Sequence, residues 1–270
     1  MIKKNRTVYS ILLLLCVIGF WCFENFYTPA TYGPDKEEAL GRGEDDVTFL
    51  LPKITDGELV KHQYYTLSYK EKYEQAEWVV YSLTKEMLTY DDRKRPYFIE
   101  DPKVKTKSAD YRNYKGSGYD RGHLCAAGDR RFSEQAYNET FYTSNITPQK
   151  NDFNSGIWNN LEKKVRQWAK MYGTVQVITA GVLTDGLSVI GDEDVAVPKY
   201  YYKIVVRKEG SRYVAIAFLF PHEQSNKSLQ GFVVSIDTIE KYTGIDFFPN
   251  LPDEQERTLE KEIELNYWKW

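Results

Sequence analysis

The chain has 270 residues, of which 42% are hydrophobic and 15% aromatic, and its formal net charge is −3. This composition excludes a disordered chain, and the length suits one large α/β domain. The net charge disfavours binding of polyanions by overall attraction, but the charges are unevenly distributed. From Arg93 to Arg131 there are eleven Lys and Arg against five Asp and Glu, a local net charge of +6.

The N-terminus has the pattern of a targeting segment. A basic stretch at residues 3–6 precedes an uncharged apolar run over residues 8–23, as in a secretory signal or a signal anchor. No clear cleavage site is present, so an uncleaved anchor is favoured. We therefore expect export to the periplasm or the extracellular space, with the N-terminal segment tethering the protein to a membrane. The sequence predicts three parts: a signal peptide or signal anchor (1–30), a linker (31–46) and a folded domain (47–270).

Runs of β-branched and aromatic residues predict most of the domain to be strands. These runs cover residues 64–69, 78–84, 119–124, 141–149, 175–180, 200–206 and 213–220. The segment between 93 and 115 is basic and irregular, and helices are expected over 235–242 and 253–265. Because the strands follow one another without alternating helices, the sequence predicts an α+β fold with a mostly antiparallel central sheet flanked by helices.

One further helix is predicted from apolar residues at three- and four-residue spacing. Its buried face is formed by Trp158, Leu161, Val165, Trp168 and Ala169. Asn154 or Ser155 is expected to cap the start of this helix, and Gly173 to end it.

Candidate catalytic groups occur at both ends of the stretch from Tyr119 to Glu162. The first end has Arg121-Gly122-His123, and the second has Asn154 followed eight residues later by Glu162. Histidine accepts protons near neutral pH, arginine holds anions, and Asn and Glu offer hard oxygen ligands. These are the parts needed to hydrolyse a phosphodiester with one metal ion. The alternative is that Asn154 only caps the helix and Glu162 pairs with Arg166 on its surface.

The other two histidines lack such neighbours. His62 precedes a tyrosine-rich strand and His222 follows a strand end. Both are expected to be ordinary surface or capping residues.

At these residues the chain resembles the DNA/RNA non-specific endonucleases of the ββα-metal (His-Me finger) class, which includes endonuclease G. The resemblance covers nearly everything from Tyr64 to Leu251. It is carried by Gly116-Ser117-Gly118-Tyr119-Asp120-Arg121-Gly122-His123-Leu124, by Ser144-Asn145-Ile146 with Pro148-Gln149, and by Asn154 with Trp158-Asn159-Asn160-Leu161-Glu162.

The resemblance implies a ββα-metal finger active site that hydrolyses DNA and RNA and leaves 5′-phosphates. It implies that His123 is the general base, that Asn154 binds Mg²⁺ (with Mn²⁺ as an alternative), and that Glu162 orders metal-bound water. Arg121 would act at the phosphate, and an upstream arginine, Arg95 or Arg93, would stabilise the transition state. Substrate binding is assigned to Arg93, Asn145 and Arg131. The alternative role for Asn145 is to support the geometry of the site. DNA and RNA are the expected partners, and a homodimer is left open.

Two other functions remain open at this point. One is a nuclease-fold protein with weak catalysis that binds nucleic acid or another polyanion. The other is a phosphodiesterase for lipid or small-molecule esters, which the basic tract disfavours.

Overall fold

The computed structural model describes residue 9, residues 11–18 and residues 50–270. The chain divides into two compact units, residues 1–33 and 34–270. The described part of the first unit is helical, and the architecture below is that of the second. The predicted linker over 31–46 lies outside the described residues, as does most of the predicted targeting segment. A search of the described helices found none with the length and apolar character needed to cross a membrane.

The second unit is built on a seven-stranded sheet in the order β1-β2-β3-β6-β9-β10-β11, and every pairing is antiparallel. Its strands are β1 (Glu58–Lys61), β2 (Thr66–Lys70), β3 (Gln75–Thr84), β6 (Thr174–Gly181), β9 (Tyr200–Glu209), β10 (Arg212–Pro221) and β11 (Val233–Val234). Two small ribbons complete the strands: β4 (Asp120–His123) with β5 (Ile146–Gln149), and β7 (Val189–Ile190) with β8 (Val195–Ala196).

The helices lie between and after these strands. The α-helices are α1 (Glu134–Glu139), α2 (Asn151–Phe153), α3 (Asn159–Tyr172), α4 (Ile236–Thr243) and α5 (Asp253–Lys261), and a π-helical segment, Asn154–Trp158, joins α2 to α3. Short 3-10 turns occur at Glu71–Tyr73, Tyr111–Tyr114, Ala127–Asp129, Thr143–Asn145, Leu229–Phe232 and Leu265–Tyr267. The predicted α+β architecture is therefore confirmed.

Helix α3 is held by the apolar face that the sequence predicts. Leu161, Val165, Trp168 and Ala169 are all buried, and the helix packs on β3 and β6. Burying side chains of the size of Leu161 and Val165 stabilises the fold by about 1.5–3 kcal/mol each. Just before α3, Trp158 is fully buried among Phe153, Tyr201 and Phe220.

The start of this helical region differs from the prediction. The helix begins at Asn151, so neither Asn154 nor Ser155 is its cap. At Gly156 the backbone leaves helical geometry (φ −95°, ψ −110°). The cause is Gln224, from the loop after β10, whose Oε1 accepts a hydrogen bond of 3.1 Å from the Ile157 amide. A Cβ at position 156 would lie only 2.2 Å from that oxygen, so a larger residue there would have to displace the Gln224 side chain.

The β4–β5 ribbon runs directly into this helical region and forms a ββα unit. In the ribbon Arg121 pairs with Pro148 and His123 with Ile146. Strand β5 is shorter than the predicted strand over 141–149, because Thr143–Asn145 forms a 3-10 turn before it.

Candidate active site

Phe98 is the residue around which the candidate catalytic side chains gather. Its buried ring lies 5.6 Å from the His123 ring, centroid to centroid. The Arg121 guanidinium carbon lies 4.7 Å from the Phe98 centroid and that of Arg95 lies 5.6 Å away. Two cations therefore stack on one aromatic ring beside the imidazole, an arrangement that cation–π attraction favours. The sequence did not reveal this role of Phe98, because only packing brings it to His123.

His123 is held in its neutral form. Its ring also packs edge-on against Phe141, with 4.9 Å between the centroids, and its Nε2 is buried without a hydrogen-bond partner among the described residues. Burial, followed by the positive charge of Arg95, lowers the pKa of His123 to about 3. A neutral imidazole can accept a proton, as a general base must.

Asn154 is oriented by Asp120. The Asp120 Oδ2 accepts hydrogen bonds of 3.0 Å from the side-chain amides of Asn154 and Asn151. The bond fixes the Asn154 Nδ2 toward the carboxylate, and no described residue donates a hydrogen bond to Asn154 Oδ1. No role was predicted for Asp120 from the sequence. Its carboxylate next to Arg121 in the chain was the feature that could have indicated one.

One cavity contains most of these groups. It has a volume of about 500 Å³ and lies beside Asn154. This cavity, which we call the central cavity, is lined by Arg95, Tyr111, Tyr114, Lys115, Tyr119, Asp120, Arg121 and Asn154.

 A separate cavity of about 730 Å³ shares Lys115, and no other described residue, with the lining of the central cavity. The central cavity thus combines three cationic side chains with the amide oxygen of Asn154, which suits a phosphate accompanied by a metal ion.

Glu162 lies in different surroundings. Its charged neighbours are Lys203, Asp129 and Arg166, and within the described part of the chain it is not among the residues that line the central cavity. Burial raises the pKa of Glu162 to about 7, while the nearby Lys203 opposes that rise. Asn154 and Glu162, eight residues apart, are not separated by two regular helical turns, because the π-helical segment interrupts the helix between them.

The two upstream arginines lie in different surroundings. Arg95 lines the central cavity, whereas Arg93 donates to the backbone carbonyls of Arg131 and Phe132 over 3.0 and 3.3 Å. Arg131 in turn donates to the Asp91 carbonyl over 2.9 Å. Neither Arg93 nor Arg131 lines the central cavity in the described part of the chain, so the geometry does not support their assignment to substrate binding.

Asn145 also does not reach the central cavity. It is fully buried, and its side chain accepts from the Cys125 amide (2.8 Å) and donates to the carbonyls of Cys125 (3.0 Å) and Thr140 (2.9 Å). A buried amide with these partners cannot contact a substrate. The assignment of Asn145 to substrate binding is therefore corrected. Asn145 is a positioning residue, because its hydrogen bonds fix the backbone that follows His123.

His62 and His222 were expected to be surface or capping residues, and both are buried. His62 Nε2 lies 2.8 Å from Asp101 Oδ2. His222 Nε2 accepts from the Lys150 amide over 2.8 Å, and its Nδ1 donates to the Pro198 carbonyl over 2.9 Å. His222 thereby anchors the residue from which α2 begins.

Comparisons with known proteins identify the family. The family model described as DNA/RNA non-specific endonuclease matches residues 50–254. The chain belongs to the DNA/RNA non-specific endonuclease family. Human mitochondrial endonuclease G is 36% identical over 212 residues, which cover 72% of this chain and 70% of that protein. Human mitochondrial nuclease EXOG is 38% identical over 206 residues, covering 69% of this chain but only 56% of that protein.

A solved structure of this endonuclease family has the same fold. A chain in the crystal structure of the EndoG/EndoGI complex superposes with a TM-score of 0.70 at 29% identity, covering 83% of this chain and 96% of that one. The predicted family and fold class are both confirmed.

The predicted localisation is wrong. The matched endonuclease-family relatives include mitochondrial nucleases from human, mouse and Saccharomyces cerevisiae. They overturn the expectation of an exported protein tethered to a membrane by its N-terminal segment. That expectation rested on charge and hydropathy near the N-terminus, which do not by themselves distinguish among destinations.

The residues of the central cavity fit a hard divalent cation. The Asn154 Oδ1 accepts no hydrogen bond from the described residues and could serve as an oxygen ligand, and the Asp120 carboxylate fixes its amide. Mg²⁺ is commonly bound by one or two protein oxygens, with waters and substrate phosphates completing its shell. Among the described residues, groups of three carboxylate, His or Cys ligands occur only at Asp237, Glu240 and Glu260 and at Asp246, Glu256 and Glu260, none of which lines the central cavity.

Proposed function

We propose that this protein is a metal-dependent endonuclease that hydrolyses phosphodiester bonds in DNA and RNA without sequence preference and leaves 5′-phosphates. The observation that carries the proposal is the grouping of a neutral His123 with Arg95 and Arg121 on the ring of Phe98. Asn154 faces the same cavity as both arginines. Membership of the nuclease family supports the same reaction.

His123 is proposed to accept the proton of the attacking water. A base whose pKa is about 3 is weak in the free protein. The phosphate of a bound strand places negative charge beside the ring and partly offsets the positive charge of Arg95. Substrate binding therefore raises the pKa of His123 toward the range in which a base is effective.

Arg95 and Arg121 are proposed to hold the phosphate oxygens. Both guanidinium groups stack on Phe98, which restricts their motion before the substrate arrives. Cations fixed in this way stabilise the charge that develops on the phosphate in the transition state.

Asn154 would hold the metal ion, Mg²⁺ or Mn²⁺, with Asp120 orienting its carboxamide. The bound ion would supply charge stabilisation at the phosphate oxygens. Glu162 keeps its proposed role of ordering metal-bound water, which it would reach only through further water because it does not line the central cavity in the described part of the chain. With a pKa of about 7, its carboxyl group is partly ionised at neutral pH.

The test is cleavage of supercoiled plasmid DNA and of a single-stranded RNA by the full chain, with Mg²⁺ or with EDTA. We expect cleavage of both substrates in Mg²⁺ and none in EDTA. His123→Ala should lower turnover by roughly 10²–10⁴-fold, the usual contribution of a general base, without loss of nucleic-acid binding. Tyr90→Ala is the matched control, because Tyr90 is 90% exposed and lines neither cavity that Arg95 lines.

Unchanged cleavage by His123→Ala would contradict the catalytic assignment. Binding of nucleic acid by the wild-type protein without any cleavage would instead favour the alternative, a catalytically weak protein of nuclease fold.

A further inference from the structure

A second, smaller cavity adjoins the central cavity. It has a volume of about 290 Å³ and is lined by Arg95, Pro96, Tyr97, Phe98, Tyr111 and Arg121. Arg95, Arg121 and Tyr111 line both cavities. A phosphate held by the two arginines therefore lies at the mouth of a space that contains aromatic side chains.

The two tyrosines of this smaller cavity are unusually accessible. Tyr97 is 88% exposed and Tyr111 is 44% exposed. Large aromatic rings are ordinarily buried, because burying them stabilises the fold. Rings exposed next to a cationic site are instead typical of surfaces on which nucleobases stack.

Both tyrosines extend from fixed backbone. Tyr97 lies between Pro96 and the buried Phe98, and Ile99 pairs with Tyr142. Tyr111 opens the 3-10 helix Tyr111–Tyr114, which Asp110 caps by accepting a hydrogen bond of 2.7 Å from the Arg112 amide. A backbone that is fixed in advance reduces the entropy lost when a ligand binds.

We propose that Tyr97 and Tyr111 form a stacking subsite for an unpaired nucleobase next to the phosphate held by Arg95 and Arg121. This inference rests on the proposed function and defines its substrate more closely. Bases in a duplex are already stacked on their neighbours, so they reach the tyrosines only after unstacking. Single-stranded and locally unpaired nucleic acid is therefore the preferred substrate.

The test measures binding by the full chain in EDTA, so that its outcome does not depend on cleavage. The probes are a fluorescein-labelled single-stranded DNA and the same sugar-phosphate backbone with abasic sites. Tyr97→Ala and Tyr111→Ala should each lose roughly five- to a hundredfold in affinity for the base-bearing strand, the effect of losing one stacked base. Neither variant should lose affinity for the abasic strand.

Two further variants separate stacking from other causes. Tyr97→Phe retains the ring and should keep the wild-type affinity. Tyr90→Ala removes an equally exposed tyrosine from outside both cavities and should also bind like the wild type. The slope of affinity against salt concentration should be unchanged in Tyr97→Ala, because tyrosine neutralises no phosphate.

The subsite is overturned if Tyr97→Ala and Tyr111→Ala bind the base-bearing strand as the wild type does. It is also overturned if they weaken binding of both strands equally, or if the wild type does not distinguish the strands. A wild-type protein that shows the expected binding but no cleavage in Mg²⁺ would contradict the proposed function and leave the subsite supported.

Discussion

Asp120 and Asn154, 34 residues apart in sequence, are joined by a hydrogen bond of 3.0 Å from the Asn154 side-chain amide to Asp120 Oδ2. This bond connects strand β4 to the start of the π-helical segment. It also determines which end of the Asn154 carboxamide remains available as a ligand.

Asp120→Ala should therefore weaken metal binding at Asn154. We expect the Mg²⁺ concentration needed for half-maximal cleavage to rise roughly 10- to 100-fold, as is typical when the partner of a metal ligand is removed. Asp120→Asn retains an acceptor oxygen and should have a smaller effect. A Mg²⁺ requirement unchanged in Asp120→Ala would show that the carboxylate does not orient Asn154.

Arg95 and Arg93 should differ sharply when each is replaced by alanine. Arg95→Ala removes a cation from the central cavity, and turnover should fall roughly 10²–10³-fold, as for other groups that stabilise transition-state charge. Arg93→Ala removes hydrogen bonds to the carbonyls of Arg131 and Phe132, so it should lower the melting temperature rather than turnover. Steady-state kinetics and thermal unfolding of both variants check this, and the opposite pattern would reverse the assignment.

The pKa of His123 should respond to Arg95. A nearby positive charge disfavours the imidazolium, so Arg95→Ala should raise the pKa of His123 above its value of about 3. Burial, the larger cause, remains and keeps the pKa below the ordinary 6.5. An NMR titration of the imidazole in the metal-free protein measures the shift. Arg93→Ala serves as the control and should leave the titration unchanged.

Asn145 should prove necessary for stability rather than for substrate affinity. Asn145→Ala leaves the buried Cys125 amide and two carbonyls without their partners. Each such loss costs on the order of 1–3 kcal/mol in the free energy of unfolding. Chemical denaturation measures that loss, and the folded fraction should bind nucleic acid with the wild-type affinity. A lower affinity with unchanged stability would restore the substrate-binding assignment.

The fold should lose stability in mild acid because of His222. Burial is the main reason that the pKa of His222 falls to about 4 in the folded protein, from 6.5. As the pH falls from about 6.5 to 4, the unfolded chain takes up a proton there that the folded protein does not, so the folded state becomes less stable. Melting temperatures across this range should decline less steeply in His222→Gln. An equal decline in the variant would assign the acid sensitivity to other groups.

Much of the fold was predictable because its signals are local. Strands β3, β6, β9 and β10 appear in the sequence as runs of β-branched and aromatic residues, and α3 as one apolar face. The start of the helical region was not predictable, because the hydrogen bond that interrupts it comes from Gln224, 67 residues beyond Ile157.

The sequence by itself determined the family, the antiparallel α+β architecture and the placement of Arg121 and His123 on one strand. Adjacent residues and short-range periodicity are enough to specify these features. Only the tertiary structure decided that Arg95 rather than Arg93 faces the central cavity, that Asn145 is buried and that Phe98 supports the catalytic side chains. Those outcomes depend on contacts between residues far apart in the chain, which are fixed only when the core packs.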